Sequence, residues 1–121
     1  MTHANAVHQR IDALEQRSPI EGVLAHRLTG EKVMVQHLHV TKGAAAPLHH
    51  HQNEQIMMVV SGTFRMTVQD AGGGQRSFDM GPGEILHLPS NCPHGGEAIE
   101  DCVIIDIFSP PSETTGIDQK G

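Results

Sequence analysis

The side chains of this sequence best suited to chemistry are its imidazoles. The chain has 10 His but no Trp or Tyr and only 3 Phe, and imidazole is the side chain that binds transition metals most readily near neutral pH. Three of the histidines are consecutive, His49, His50 and His51. On a β-strand His49 and His51 share one face, because successive side chains alternate. Taken alone, this cluster is either part of a metal site or an exposed polar stretch.

A single acid interrupts the most apolar run near the end of the chain. Asp106 shares its face of a predicted strand with Cys102, Ile104 and Phe108. An acid is costly to bury unless it meets a cation, a hydrogen-bond donor or water, and acids in pockets are frequent proton carriers. We therefore favour a functional Asp106 over a structural acid bonded to the backbone.

The elements that carry these residues are short runs rich in Val, Ile, Leu, Met and Thr. From Ile20 onward they are separated at Thr29-Gly30, Lys42-Gly43, Ser61-Gly62, Gly72-Gly73-Gly74, Gly81-Pro82-Gly83 and Pro89-Ser90-Asn91. Turns every eight to twelve residues are typical of an antiparallel all-β sandwich or barrel. We place this barrel at 20–111.

The ends of the chain differ from the barrel. Val7, Ile11 and Leu14 have helical spacing and Pro19 ends the pattern, so residues 1–19 are predicted to be an N-terminal extension with a short amphipathic helix. Residues 112–121 have one large apolar side chain, Ile117, and are predicted to be a loosely held C-terminal tail.

Two predicted strands, 55–60 and 102–108, are apolar on both faces. Such a strand is usually covered on both sides, and one layer of a 121-residue chain cannot cover both outer surfaces. We therefore predict a homodimer with Val103, Ile105 or the row Ile56, Met58 and Val60 near the interface.

Charge and hydropathy exclude several classes of protein. The net charge is -6 and no basic patch is evident, which argues against nucleic acid as a partner. The apolar runs are shorter than the roughly 18 residues that a membrane helix needs. The first ten residues do not resemble a signal peptide, and two cysteines, Cys92 and Cys102, fit free thiols in a reducing compartment. We expect a cytoplasmic protein, in which both cysteines are packing residues.

Motif spacing narrows the class of fold. Five residues separate Gly43 from His49-x-His51, three more precede Gln55, and six precede Gly62. Further on, five residues separate Gly83 from Pro89-x-Asn91-x-x-His94. The sequence here resembles the cupin family, in which a glutamate usually occupies the position of Gln55 and a glycine that of Asn91.

The resemblance implies an all-β double-stranded β-helix (jelly-roll) barrel that holds one divalent metal ion on His49, His51, Gln55 and His94. Three imidazoles and an oxygen donor suit Ni, Fe, Mn, Co, Cu or Zn. His50 has the opposite parity and is expected to point outward, and His87 is expected at the surface or in the barrel wall.

The amide of Gln55 has a consequence for charge. Neutral imidazoles and an amide oxygen leave the full double positive charge on the ion, whereas a carboxylate would halve it. We therefore expect a stronger Lewis acid that attracts anionic substrates. The alternative is that Glu54 turns inward in place of Gln55, which its parity with His49 and His51 argues against.

Within the cupins, the run Asp106-Ile-Phe-Ser-Pro-Pro111 and the pair Pro93-His94 are similar to small pectin-degradation cupins, which convert cyclic 4,5-unsaturated monouronates to linear ketonized sugar acids. That resemblance implies that Asp106 and Phe108 line the pocket as catalytic residues. The same group has an arginine after the paired prolines, where this sequence has Ser112, and a bidentate arginine is the obvious holder of a carboxylate.

Three functions therefore remain in competition. The first is a metal-dependent enzyme that acts on a small anionic oxygenated metabolite, such as an unsaturated uronate, with Asp106 moving a proton. The second is a metal-dependent dioxygenase, for which three histidines on Fe or Cu would suffice. The third is a non-catalytic metabolite-binding or sensor protein.

Overall fold

The computed structural model describes residues 2–112, which form ten β-strands and one 3-10 turn. The strands are β1 Glu15–Arg17, β2 Val23–Thr29, β3 Met34–Val40, β4 Ala45–His49, β5 Glu54–Ser61, β6 Phe64–Gln69, β7 Gln75–Met80, β8 Ile85–Leu88, β9 His94–Ala98 and β10 Cys102–Ser109. A six-stranded sheet has the order β1-β2-β3-β10-β5-β8, and a four-stranded sheet has the order β4-β9-β6-β7. Every pairing is antiparallel. The all-β prediction is confirmed.

The two sheets enclose one apolar core. Leu38 and Ile104 from the six-stranded sheet belong to the same buried cluster as Met66, Met80 and Ala98 from the four-stranded sheet. Fully burying one such side chain is worth about 1.5–3 kcal/mol. The space between the sheets is the lumen of the barrel.

Burial alternates along β10 as its sequence predicts. Cys102, Ile104, Asp106 and Phe108 are buried, and the three residues between them are half-buried. Strand β10 lies between β3 and β5, at the centre of its sheet. The strand therefore directs Asp106 into the lumen.

Strand β5 is fully covered on one face and only partly covered on the other. Its inner residues Gln55, Met57 and Val59 are buried, whereas Val60 on the outer face is 50% exposed. Within one chain the outer face of β5 is therefore only partly covered, and the homodimer expected to cover it stays a prediction. The outer face of the six-stranded sheet gains only partial cover from neighbouring side chains.

The predicted N-terminal helix is also wrong. In its place the chain forms a single 3-10 turn, Ile11–Ala13, and then pairs β1 with β2. Val7 is 76% exposed and Ile11 50%, so the apolar stripe has no surface to pack against, and an isolated helix of this length is marginal in water. Of the predicted tail, 112–121, only Ser112 lies within the described residues.

No helix in the described part of the chain, 2–112, has the length and apolar character required to cross a membrane.

Candidate metal centre

The structure brings three of the predicted metal ligands together at one end of the lumen. His49 ends β4 and His94 begins β9, and the two are direct partners in the register of these strands. His51 lies in the loop that leads to β5. All three are buried. One ring nitrogen from each of the three lies within 4.8 Å of the other two.

Backbone carbonyls orient all three rings. Nδ1 of His49 donates to the carbonyl of Pro47 at 2.8 Å, and Nδ1 of His51 donates to that of Asn53 at 2.9 Å. Nδ1 of His94 donates to the carbonyl of Cys92 at 2.9 Å. Since a carbonyl oxygen can only accept, a neutral ring keeps its lone pair on Nε2, which is the tautomer that metal-binding histidines use.

Burial keeps two of these imidazoles uncharged. It lowers the pKa of His49 and lowers that of His94 to about 4, against the opposing effect of the carbonyl that each ring binds. The neighbouring imidazoles lower both pKa values further. Metal binding requires neutral imidazole, so these two rings can bind a divalent ion at neutral pH without first releasing protons.

The loop before His94 is tied to the loop that carries His51. The N–H of Asn91 donates to the carbonyl of His51 at 2.8 Å. Asn91 has φ 65, in the left-handed region that asparagine tolerates better than most residues. This explains how asparagine replaces the usual glycine of the motif.

Gln55 presents its side-chain oxygen to His51. Its Oε1 lies 3.2 Å from Nε2 of His51, and both atoms carry lone pairs in the tautomer described above. Two ligands bound at about 2.1 Å and at right angles are about 3.0 Å apart, so this separation fits neighbouring ligands of one ion. The structure thus groups His49, His51 and His94 and places the Gln55 oxygen beside His51, and the role of Gln55 as a fourth ligand stays a prediction.

Asp106 sets the direction of that amide. Nε2 of Gln55 donates to Oδ1 of Asp106 at 3.0 Å, which turns Oε1 toward His51. Asp106 is 5% exposed, and burial raises its pKa to about 7, although the hydrogen bond from Gln55 acts to lower it. A carboxyl group with a pKa near neutrality is suited to proton transfer.

Phe108 packs at the same end of the lumen. Its ring is 2% exposed, and its centroid lies 5.6 Å from that of His51 in an edge-on arrangement. The ring therefore excludes water from one side of the candidate centre.

A cavity of about 60 Å³ extends from this centre into the lumen. His49, Gln55, His94 and Asp106 form its polar end, and Phe108 lines it beside them. This volume holds a few waters or a ligand of a few non-hydrogen atoms.

The remaining residues that the sequence singles out lie outside the centre. His50 is exposed, and Nε2 of His87 contacts Oε2 of Glu54 at 2.5 Å on the surface. Cys92 and Cys102 are unpaired, each Sγ donates to backbone carbonyls, and burial raises the pKa of both thiols. Thiols with raised pKa values are poor nucleophiles.

A buried polar pair beside the centre is absent from the sequence predictions. Arg27 is 3% exposed, Gln36 is 1% exposed, and Arg27 donates to Oε1 of Gln36 through Nε at 3.1 Å and Nη2 at 2.9 Å. Gln36 is the register partner of Asp106 on β10. The alternation of side chains along β2 could have predicted that Arg27 faces inward, because Arg27 lies on the same face of the strand as the buried Val23 and Ala25.

Fold and site together define a β-barrel protein with a candidate metal centre inside it. The Cupin domain family matches residues 36–108, more than half of the chain. The protein belongs to the cupin family, and the fold prediction is confirmed.

Comparisons with individual proteins agree with this assignment. The chain is 28% identical over 71 residues to oxalate decarboxylase OxdC of Bacillus subtilis, covering 59% of this chain and 18% of that protein. Among solved structures, an oxalate decarboxylase formate complex of Lactobacillus farciminis superposes with a TM-score of 0.79 at 21% identity, over 93% of this chain and 36% of the other. A Bacillus subtilis oxalate decarboxylase studied for its Mn(II) centres has a TM-score of 0.78 at 23% identity, over 92% and 32%.

These similarities establish the fold and no activity. The chain spans about a fifth of the curated relative and about a third of the solved structures.

Proposed function

We propose that this cupin is an enzyme that depends on one divalent transition metal ion, Ni, Fe, Mn, Co, Cu or Zn, and acts on a small anionic oxygenated molecule. The observation that carries the proposal is the contact between Asp106 and Gln55, which joins a buried acid to the candidate ligand set. His49, His51, His94 and the Gln55 oxygen would hold the ion. When bound, the ion supplies Lewis acidity that polarises a hydroxyl or carbonyl of the substrate.

The chain's own residues would then handle the proton. The carboxyl group of Asp106 lies at the polar end of the cavity, where it can accept a proton from a substrate carbon or hydroxyl and return it elsewhere. Phe108 shields this exchange from water. The Gln55 amide, held by Asp106, keeps the ligand set and the acid in one fixed relation.

Ring opening or tautomerisation of an unsaturated uronate is the narrowest form of the proposal. Its support is the resemblance around Asp106 and Phe108. Among the described residues that line the cavity, none is Lys or Arg, so a substrate carboxylate would depend on the metal ion for its counter-charge. The lack of a cationic side chain in the cavity wall is consistent with the sequence, which has Ser112 at the position where the similar cupins have arginine.

An assay of metal-loaded protein tests the proposal. Purified protein is stripped with a chelator, reloaded with each candidate ion, and given a 4,5-unsaturated monouronate, whose conjugated double bond is followed by ultraviolet absorbance. Oxalate belongs in the same panel because the similar proteins are named oxalate decarboxylases. Turnover that requires an ion and is lost in His49→Ala, but kept in His50→Ala, would support the proposal. An absence of ion binding would overturn it.

Two other functions are separated by the same preparation. A dioxygenase would consume oxygen with Fe or Cu and stop under anaerobic conditions. A sensor would bind its ligand tightly and only with metal, without turnover.

We propose further that the protein is a homodimer through the outer face of the six-stranded sheet. Ile105 lies opposite Met58, Met58 opposite Ile85, and Ile56 opposite Ile107, which forms an apolar patch on that face. Ile85 is 65% exposed. A second copy of the same patch would cover it with like surface, as isologous dimers do.

Location and partners remain predictions from the sequence. Free Cys92 and Cys102 are consistent with a reducing compartment such as the cytoplasm. The net charge of -6 argues against nucleic acid. Cell fractionation and a nucleic-acid pull-down would test both.

A further inference from the structure

The wall of the cavity is apolar from the candidate centre to the solvent. Beyond its polar end, the buried part of the wall includes Val40, Leu38 and Ile104, and the outer part includes the half-buried Ile20 and Phe64. Among the described residues that line the cavity there is no Ser, Thr, Asn, Tyr, Lys or Arg. Hydrogen-bonding side chains are therefore confined to one end.

A close approach between two strands shapes the outer part of the wall. A Cβ on Gly96 would lie 2.6 Å from Cε1 of Phe64 and 2.3 Å from the carbonyl oxygen of Arg65. Only glycine at this position lets the Phe64 ring lie against β9. The aromatic wall is thus built into the pairing of β6 with β9.

This distribution selects against a polyhydroxylated ligand. A hydroxyl that leaves water for this wall finds no side-chain partner there, and each such loss weakens binding about tenfold. An alkyl chain has the opposite preference, since each buried CH₂ strengthens binding about threefold to fourfold.

We propose that the ligand of this site has one oxygen-chelating head and a short apolar chain. The head binds at His49, Gln55 and His94 with the metal ion, and the chain lies along Val40, Leu38 and Ile20. The inference rests on the proposed metal centre and narrows its substrate class toward a short-chain oxo acid or a similar chelator. It differs from the uronate form of the proposed function in that an apolar chain replaces the hydroxylated ring, and the titrations below decide between the two.

Alkyl hydroxamates test this proposal because they chelate divalent ions and differ only in chain length. Protein loaded with Ni²⁺, its metal content verified by mass spectrometry, is titrated with acetohydroxamate, butanohydroxamate and hexanohydroxamate by calorimetry. Kd should fall about threefold or more per CH₂ until the chain fills the cavity. Glucuronate should bind no more tightly than acetate.

Variants locate the chain within the lumen. Val40→Thr, close in shape to the wild type, and Ile20→Ser should leave the Kd of acetohydroxamate unchanged and reduce the gain from longer chains. Leu48→Ser is the matched control, because Leu48 is 43% exposed and does not line the cavity, and it should behave as wild type.

Each outcome has a distinct meaning. Bound Ni²⁺ with affinities independent of chain length would overturn the inference and leave the proposed metal centre intact. Glucuronate binding more tightly than the hydroxamates would do the same. Protein that takes up no ion would overturn the proposed function and this inference with it.

Discussion

Gln55 and Asp106 lie on neighbouring strands, and the Gln55 amide donates to the Asp106 carboxyl group at 3.0 Å. The same amide places its oxygen 3.2 Å from Nε2 of His51. One side chain therefore faces the candidate metal centre with its acceptor and the buried acid with its donor. A glutamate, the usual residue at this position in cupins, has no amide N–H to donate.

The first prediction concerns Gln55→Glu. The new carboxylate would meet the buried Asp106 at hydrogen-bond distance, and two carboxyl groups so close cannot both ionise. We expect metal affinity to hold or rise, because a charged ligand replaces a neutral one, and turnover of an anionic substrate to fall. Chelator competition and kcat measure the two effects.

The double variant Gln55→Glu/Asp106→Asn is the control for that result. Asparagine can donate to the new carboxylate, so metal affinity should exceed that of Gln55→Glu alone. Metal affinity weaker than that of wild type in both Gln55→Glu and the double variant would contradict the prediction that residue 55 is a ligand.

The second prediction concerns the histidines. His49→Ala, His51→Ala and His94→Ala should each lower metal affinity more than about 100-fold, since even partners beyond the ligands contribute 10 to 100-fold. His50→Ala, at the exposed position between His49 and His51, should bind metal as wild type does. Equal metal content in all four variants would show that His49, His51 and His94 do not form a metal centre.

The third prediction separates proton transfer from metal binding. Asp106→Asn keeps an acceptor for the Gln55 amide, so metal content should not change, while activity should fall by about 10² to 10⁴. Mass spectrometry and kcat on a verified substrate measure both. Full activity in this variant would make Asp106 a structural acid.

The fourth prediction concerns assembly. Ile105→Lys places a charge in the outer apolar patch, and light scattering should report a monomer where the wild type is a dimer. Leu48→Lys puts the same charge on the exposed part of β4 and should leave the dimer intact. A wild-type monomer at micromolar concentration would count against the proposed interface.

The fifth prediction concerns the turn between β5 and β6. Gly62 has φ 80, and a Cβ there would lie 2.1 Å from the carbonyl oxygen of Asp101, whereas Gly73 has φ 90 with no atom within 4 Å of its Cβ position. Gly73→Ala should cost about 1–2 kcal/mol of unfolding free energy through φ alone. Gly62→Ala should cost clearly more, measured by urea denaturation. Equal losses of unfolding free energy in the two variants would mean that the backbone at Asp101 can shift at little cost.

The all-β fold class and the direction of the side chains on the strands could be predicted from the sequence by itself. Alternation is a local property of an extended chain, so the shared face of His49 and His51 and the inward direction of Asp106 follow from parity. The spacing of glycines, prolines and histidines was enough to indicate the cupin barrel, which the family match confirms.

Other features depend on which strands meet, and periodicity carries no information about that. The N-terminal stripe of Val7 and Ile11 has helical spacing, but the chain before β2 adds β1 to the sheet, where its backbone groups find partners. The apolar outer face of β5 indicated that one chain would leave it partly uncovered, but it carried no information about which strands lie beside it.

The site itself was completed only by tertiary structure. The pairing of β5 with β10 sets the Gln55 amide against Asp106, and that of β4 with β9 sets His49 against His94. The apolar wall of the cavity likewise arises only where the inner faces of two sheets meet. Residues far apart in the chain acquire their chemistry from the register of strands, because register alone decides which side chains become neighbours.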